Sequence, residues 1–404
     1  MKKQLGSLFL VSVIDILGFG ILIPLVPYMG VRFGASPWAI TSILGAYSAC
    51  QFIAAPLWGR LSDRYGRRPI LMTSLAGACL SYVMLGLADS IWWLLASRML
   101  GGFMAGNIAA AFAYASDVST PERRAASLGL VGAAIGVGFS LGPAIGGLLA
   151  GNDLHTVTFV RPSVASAGLS MLAILLVAFV LPESHTAAQR SEHRHRPRIG
   201  PLRLLLERSS LRFIAGAALL VTCSQSILES IFAIWALNKF GFGPRTVGLL
   251  MFCLASLAVL MQGGVVRVLV PRLGEPKLAT IGVLTYVAGL ITVAQAPSLA
   301  FTVIGLALCG IGVGAFNPSA SALASKQSEA HDRGTVMGTY QSSTSLARVI
   351  GPFASGPIYA ALGPSAPFLI GACVTLPAAW LVWRARPRDY GPLVSRTPTQ
   401  MERD

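Results

Sequence analysis

The chain has 404 residues, of which 54% are hydrophobic and only 12% are charged, and its mean hydropathy is +0.67. A soluble protein carries about twice this share of charged residues, so most of the chain is expected to lie in contact with something other than water. The net charge of +15 would suggest a nucleic-acid partner in a soluble protein, but in a membrane protein it marks the cytoplasmic segments, and no nucleic acid is expected. The apolar runs contain no nucleotide-binding loop and no Ser/His/Asp or Cys/His set, which argues against a nucleotide-driven machine and against an enzyme.

The cysteines and histidines predict neither a disulfide framework nor a metal site. All six cysteines lie inside apolar runs, where cysteine acts as a small buried apolar residue. All five histidines fall in loops, and none of them has the spacing of a metal-ligand set. No metal and no cofactor is therefore expected.

Twelve apolar runs are long enough to cross a bilayer, which takes about 20 residues of helix. The first run contains Asp15, is too long for a secretory signal and has no small-residue cleavage site, so we expect it to be retained as a helix. In chain order the predicted helices lie near residues 7–29, 38–59, 69–88, 91–115, 125–150, 160–181, 211–236, 244–268, 277–295, 298–324, 335–361 and 365–385.

The distribution of lysine and arginine predicts the orientation in the membrane. If both termini are cytoplasmic, almost all cationic residues fall in cytoplasmic segments, as they do in membrane proteins generally. The exceptions are two residues inside helices, Arg98 and Arg348, and four in outer segments, namely Arg32, Arg161, Lys239 and Arg245. We therefore expect both termini in the cytoplasm and a location in the inner (cytoplasmic) membrane of the cell.

The two halves of the chain share a pattern. Gly142-Pro143 and Gly147 of the fifth helix correspond to Gly351-Pro352 and Gly356 of the eleventh at an offset of 209 residues. Pro37 and Pro244 open the second and eighth helices at an offset of 207, and the 65–69 segment has a weaker echo in 273–277 at 208. A nearly constant offset predicts two pseudo-symmetric six-helix bundles with a binding site between them near the bilayer midplane.

The longest polar stretch divides these halves. Residues 183–210 are basic and contain several histidines, which is typical of a cytoplasmic linker. The predicted organisation is an N-terminal bundle over 1–182, a linker over 183–210, a C-terminal bundle over 211–388 and a cytoplasmic tail over 389–404.

The loop after the second helix carries a specific signature. It reads Gly59-Arg60-Leu61-Ser62-Asp63-Arg64-Tyr65-Gly66-Arg67-Arg68-Pro69-Ile70-Leu71, and it resembles the G-x-L-a-D-r-x-G-r-r-x-x-l signature of the major facilitator superfamily. The resemblance implies a gating loop in which Asp63 meets a helix end of the opposite half. It also implies that Arg67 or Arg68 meets Asp117, the acid at the end of the fourth helix. A topology signal alone would explain neither Asp63 nor the glycines.

The fifth helix contains many glycines. Gly132, Gly136, Gly138, Gly142-Pro143 and Gly146-Gly147 resemble the antiporter signature of the same superfamily, which is associated with proton-driven exporters. Glycines allow a helix backbone to approach its neighbour, and proline permits a kink. Ordinary packing of small residues in a membrane helix is the alternative.

The first helix, with Asp15-x-x-Gly18-x-Gly20-x-x-x-Pro24-x-x-Pro27, resembles the tetracycline/proton antiporter branch of the twelve-helix drug:proton antiporters. The sequence differs from this branch at two positions that bear on the recognition of a tetracycline–metal complex. Ser81 stands where similar exporters often place an acid in the third helix, and the ninth helix has Thr285-Tyr286 without an acid. Proton-coupled efflux remains the expectation.

Four ionisable residues lie well inside predicted helices: Asp15, Arg98, Glu229 and Arg348. Each costs about 2.5–3.5 kcal/mol at the bilayer centre on insertion scales, so each is expected to face the protein interior or a cavity, and two acids with two bases suggest pairing. We hypothesise that one or both acids carry the transported proton. Glu229, with Gln225 one turn earlier, is the first candidate and Asp15 the second; a static ion pair is the alternative.

The remaining candidates are basic, polar and aromatic residues. Arg98 resembles the R-x-x-x-G motif of these antiporters, in which the arginine is thought to help proton movement, whereas Arg348 would neutralise Glu229 or contact an anionic substrate. Asn107 is one of several polar residues at helical spacing. Aromatic residues that could stack on a substrate are Tyr47, Phe112, Phe232, Trp235, Phe316 and Tyr340.

The sequence thus predicts an all-α membrane protein of the major facilitator fold that exports drug-like or amphipathic molecules, tetracycline-type efflux included, in exchange for protons. Its expected partners are a small-molecule substrate, protons and the lipid bilayer, and a monomer is expected. The alternatives are a proton-coupled metabolite importer of the same superfamily and a membrane sensor that transports nothing.

Overall fold

A computed structural model describes residues 2–120, 123–152, 158–184, 209–327 and 333–385. The described chain is nearly all helical. Its helices are α1 (Lys2–Leu22), α2 (Val26–Arg32), α3 (Pro37–Tyr65), α4 (Arg67–Gly86), α5 (Ile91–Phe103), α6 (Asn107–Asp117), α7 (Arg124–Ala150), α8 (Val160–Val180), α9 (Ser209–Phe240), α10 (Pro244–Leu260), α11 (Val266–Leu273), α12 (Glu275–Gln295), α13 (Leu299–Lys326), α14 (Arg333–Leu362) and α15 (Ala366–Arg384).

These helices form twelve spans, as predicted. In the described chain, eleven spans are long and apolar enough to cross a membrane. The remaining one, α14, has 30 residues but is more polar, since 341–344 and Arg348 interrupt its apolar run. The predicted linker and tail lie almost entirely outside the described residues, so their boundaries stay predictions.

Three spans are interrupted, although continuous helices were predicted there. The first breaks between α1 and α2 at Pro24, which cannot donate a backbone hydrogen bond. The fourth breaks between α5 and α6, at residues 104–106. The eighth contains a π-helical segment, Met261–Val265, between α10 and α11. Interrupted helices expose backbone polar groups inside the membrane, which proteins tolerate where other groups satisfy them or where a cavity is lined.

The two halves repeat each other at the loops that follow the second and eighth spans. Pro37 begins α3 and Pro244 begins α10, so the two prolines that the sequence comparison relates at an offset of 207 residues occupy the same position in both helices. The loops that end these spans turn at Gly66, with a φ of 107°, and at Gly274, with a φ of 76°. Only glycine adopts these backbone conformations without strain. The weak sequence echo between these loops therefore marks a real structural equivalence.

Glycines of α7 and α14 also play equivalent roles. A Cβ atom at Gly142 would lie 2.6 Å from the Gly20 Cα of α1, and one at Gly351 would lie 2.6 Å from the Ser226 Cβ of α9. Both contacts lie within one half. The equivalent Gly147 and Gly356 instead contact the opposite half, at the first residues of α10 and α3 respectively. The offset of 209 residues thus relates the contact of α7 with α1 to the contact of α14 with α9, and the contact of α7 with α10 to the contact of α14 with α3.

We call the membrane face at which α1 begins and α15 ends the terminal face, and the opposite one the distal face. One buried apolar cluster joins both halves near the distal face and includes Met29, Ile40, Ile231 and Trp235. The main clusters toward the terminal face each stay within one half. The two halves therefore pack together on the distal side.

Toward the terminal face the same helices separate. The contact of Gly136 with Val259 is the last that a described glycine of α7 makes with the opposite half. A Cβ atom at Gly132, one turn further, would meet no described atom within 4 Å, and the same holds at Gly263 and Gly264 of the facing span. The described structure is therefore closed at the distal face and open at the terminal face.

Candidate functional site

Asp15 is buried in the N-terminal half, with 5% of its surface exposed. Its carboxylate accepts a hydrogen bond from the Asn107 side-chain amide. Both residues line a cavity of about 10 Å³ between α1, α4, α6 and α7. A space of this size holds about one water molecule. The structure thus brings together two of the candidate residues, an acid and an amide, at a cavity that can hold a proton donor or acceptor such as water.

The break in the fourth span positions Asn107. The Ser74 hydroxyl of α4 accepts hydrogen bonds from the backbone N–H groups of Gly106, at 3.0 Å, and Asn107, at 2.9 Å. It also donates to the Met104 carbonyl, while the Trp58 indole donates to the Phe103 carbonyl at 2.5 Å. Side chains of two neighbouring helices therefore satisfy the backbone groups that the break exposes. This holds Asn107, the first residue of α6, against Asp15.

Arg98 is also buried, with 3% of its surface exposed. In the described chain its Nε and Nη2 atoms have no hydrogen-bond partner. Its guanidinium lies 6.0 Å from the ring centre of Tyr47. A buried cation without an anionic partner is costly, and an ionisable residue in this position is a candidate for a functional role.

Glu229 lies in the C-terminal half and is exposed. Its carboxylate accepts a hydrogen bond from the Gln225 side-chain amide at 2.8 Å. Arg348 on α14 is exposed as well. Both therefore lie on accessible surface inside the span region, whereas Asp15 and Arg98 are enclosed.

The expected pairing of these acids and bases is wrong for the structure, because neither arginine lies within 4 Å of either carboxylate in the described chain. Helix register explains this. The Ser230–Ser355 hydrogen bond, at 2.9 Å, fixes the relative position of α9 and α14. Glu229 is then level with residue 354 of α14, and Arg348 lies six residues away from that level, about 9 Å along the helix. Asp15 is bound by Asn107, which lies nine residues after Arg98 and beyond the break in the fourth span.

The gating loop forms a compact ionic cluster in the N-terminal half. Arg67 is buried, and its guanidinium donates to Asp117 at 3.0 Å, to Asp63 at 2.7 Å and to the Ser62 hydroxyl at 3.0 Å. The structure thus brings together Arg67 and Asp117, the contact that the loop resemblance implied. Arg64 is exposed and stacks on Tyr65, and a Cβ atom at Gly59 would meet no described atom within 4 Å.

Asp63 forms an ion pair with Arg67 of its own loop in this terminal-open arrangement. The contact of Asp63 with the opposite half, which the loop resemblance implied, stays a prediction.

The sequence analysis missed Glu183. Its two carboxylate oxygens accept hydrogen bonds from the backbone N–H groups of Arg67, at 2.8 Å, and Arg68, at 3.1 Å. These are among the unsatisfied donors at the start of α4, where a negative charge is also favoured by the helix dipole. The Arg68 side chain donates to the Ala178 carbonyl of α8. The only sequence signal for Glu183 is its place directly after the sixth span, at the start of the predicted linker.

The antiporter signature of α7 has two faces. Gly138, Gly142 and Gly146 contact α1, where a Cβ atom at each would overlap the α1 backbone or Ile16. Pro143 and Gly147 contact α10 of the opposite half, with Gly248 packed on the Pro143 carbonyl. The nearby Ser140 and Ser256 hydroxyls form a hydrogen bond of 2.7 Å across the same seam. The signature therefore joins α1, α7 and α10 at the closed, distal side.

An aromatic cluster lies beside Arg98. Phe19 packs against Tyr47 with ring centres 5.1 Å apart, and against Phe139 at 5.8 Å. All three are half-buried. Among the other aromatic candidates, Phe232, Trp235 and Phe316 are fully buried, so the expectation that they contact a substrate is wrong for this conformation. Their positions serve the packing of the C-terminal half.

Comparisons with known proteins agree with this architecture. The Major Facilitator Superfamily model matches residues 8–275 and 214–402. The class C tetracycline resistance protein of Escherichia coli is 32% identical over 364 residues, which cover 86% of this chain and 87% of that protein. Multidrug resistance protein 2 of Bacillus subtilis (strain 168) is 28% identical over 97% of this chain and 100% of its own length. Among solved structures, the human organic anion transporter MFSD10 (TETRAN) has the same fold, with a TM-score of 0.72, 24% identity and coverage of 94% of this chain and 99% of that one.

Proposed function

Since the chain belongs to the Major Facilitator Superfamily and is a multi-pass membrane transporter rather than an enzyme, we propose that it exports drug-like or amphipathic small molecules in exchange for protons. One observation supports this most directly. Asp15 is a carboxyl group enclosed within the membrane region, bound to the neutral Asn107 amide and bordering space for one water molecule. Such a group can exchange a proton without an arginine fixing its charge.

On the burial of the two acids we reverse the order of the two candidate proton carriers. Asp15 is enclosed, so its environment can alternate between closed and open as the halves move. Glu229 is exposed and is bound by the Gln225 side-chain amide. We assign the proton to Asp15, and we assign substrate contact to Glu229 and Gln225.

The seam between α7 and α10 and the names of the relatives support export as the direction of transport. The antiporter signature closes the distal face in the present conformation, and the relatives named for tetracycline and multidrug resistance support efflux. The excess of cationic residues at the terminal face favours a cytoplasmic location for that face. The described state would then be open to the cytoplasm, ready to load an exported molecule, in the inner membrane of the cell. The proton gradient supplies the energy, with no cofactor, and the protein acts as a monomer.

Growth of drug-sensitive bacteria tests this proposal. Cells expressing the protein would be exposed to tetracyclines, phenicols, quinolones and dyes, beside cells expressing Asp15→Asn or Glu229→Gln. Asp89→Asn is the control, because it removes the same charge from an exposed loop acid. We expect protection by the native protein and by Asp89→Asn, and its loss in Asp15→Asn. Unchanged protection by Asp15→Asn would contradict the assignment, and uptake of a metabolite without any protection would favour the importer.

A further inference from the structure

Two arginines converge on Tyr47 from opposite halves. Arg98 of the N-terminal half lies over the Tyr47 ring. On α14 of the C-terminal half, Phe353 lies against Gly45 and Gly356 against Thr41. This antiparallel register sets Arg348 level with residues 49–50 of α3, within one helical turn of Tyr47. The charges of Arg98, Asp15 and Arg348 all act on the Tyr47 hydroxyl.

Neither arginine is neutralised in the described structure. Arg98 is enclosed, with Nε and Nη2 unpartnered, and Arg348 is exposed with no carboxylate within 4 Å. Asp15 binds Asn107, which follows the break in the fourth span nine residues after Arg98, and forms no ion pair with Arg98 in the described chain. The space beside Tyr47 therefore carries two cationic groups, one of them buried, and one carboxylate, Asp15, whose hydrogen bond goes to Asn107 and not to either arginine.

We infer that the transported molecule supplies an anion for these two arginines: it carries a carboxylate or comparable anionic group that binds beside Tyr47, between Arg348 and Arg98, on a flat aromatic body that packs on the Phe19–Tyr47–Phe139 cluster. This inference rests on the proposed transport function and specifies its substrate class. Guanidinium groups bind carboxylates through two parallel hydrogen bonds, and aromatic rings favour flat apolar partners.

The position of each arginine assigns it a role. Exposed Arg348 meets the anionic group first in the terminal-open state. Arg98 lies deeper and on the other half, so full binding draws the two halves together around one charged group. A ligand can drive such a change only through its different affinity for the two conformations. A basic group elsewhere on the same molecule is compatible with this arrangement.

The test uses the purified full-length protein and two fluorescent probes, a xanthene dye with a free benzoate group and the methyl ester of the same dye. Binding is followed by fluorescence anisotropy. We expect the acid to bind at least tenfold more tightly than the ester, and Arg348→Gln to remove most of this difference. Arg348→Lys, which keeps the charge but not the fork geometry, should retain part of it. Arg161→Gln, which removes an exposed arginine of α8, should leave it unchanged.

Equal binding of acid and ester, absence of binding by both, or an acid preference that survives Arg348→Gln would overturn the inference. Arg98→Lys and Arg98→Gln give a second comparison, in which only the lysine variant should keep a preference for the acid.

The proposed transport function and the inferred substrate class can fail separately. Drug export without an acid preference refutes the substrate class alone, whereas an acid preference without proton-driven movement refutes the transport proposal alone.

Discussion

Lys326 Nζ lies 2.6 Å from Glu275 Oε1, and this ion pair is the charge-reversed counterpart of Asp117 and Arg67. Lys326 ends α13 and Glu275 begins α12, at offsets of 209 and 208 from their counterparts. The two halves have thus kept an ionic contact between equivalent helix ends while exchanging its acid and base. Each pair fixes the helix that begins after the glycine turn, at Gly66 or Gly274.

We predict that the two pairs differ in strength. The Arg67 and Asp117 side chains are 8% and 22% exposed, whereas Lys326 and Glu275 are 56% and 17% exposed. Asp117→Asn should lower the free energy of unfolding by about 1.5–3 kcal/mol, since it weakens a buried charged hydrogen bond. Lys326→Gln should cost about 1 kcal/mol or less, as exposed ion pairs do. Thermal unfolding of both variants in one detergent compares them, and an equal or larger loss for Lys326→Gln would be against this account.

The distal seam gives a second prediction. A Cβ atom at Gly147 would lie 2.6 Å from the Pro244 carbonyl oxygen and 2.9 Å from the Arg245 Cα. Gly147→Ala should therefore force α7 and α10 apart and shift the protein away from the distal-closed state. Gly132→Ala is the matched control on the same helix, because its Cβ would meet no described atom within 4 Å.

Thiol labelling measures this shift. A cysteine at Thr246, beside Asn152 at the closed seam, would be placed in a background without native cysteines. Its labelling rate should rise several-fold with Gly147→Ala and stay unchanged with Gly132→Ala. If both alanine variants label alike, the seam does not control distal closure.

Ser74 gives a third prediction. Ser74→Ala would remove the hydroxyl that accepts from the Asn107 N–H, and it would leave the Gly106 N–H with the Met104 carbonyl alone, at a cost of about 1–3 kcal/mol. It should also misplace Asn107 and impair transport. Ser170→Ala removes an equally buried hydroxyl that has no partner in the described chain, so it should cost less and leave transport unchanged. Stability and transport of the two variants are compared at equal expression, and matching losses would refute the role of Ser74.

The repeat was predictable from the sequence, because it rests on residues whose backbone requirements are local. Proline at the start of a helix and glycine at a positive φ keep their places in both halves, as Pro37 and Gly66 show beside Pro244 and Gly274. The apolar runs likewise gave the twelve spans within a few residues.

The site was less predictable, because it depends on neighbours far apart in sequence. Residues 103–106 continue an apolar run, and the break there is satisfied by Ser74 and Trp58 of other helices. Two acids and two bases inside predicted helices suggested pairing, but neither arginine forms an ion pair with either acid in the described chain. The predicted contact of Asp63 with the opposite half needs the two halves to meet at the terminal face, and the sequence does not specify which face is closed.

The central claim is that Asp15 couples proton movement to export. The most direct measurement is substrate movement in liposomes with an imposed pH gradient, for the native protein, Asp15→Asn and the Asp89→Asn control. We expect uphill movement by the native protein and the control. Asp15→Asn should lose uphill movement but still equilibrate substrate down its own gradient, since the binding site would remain. Uphill movement by Asp15→Asn at the native rate would contradict the account.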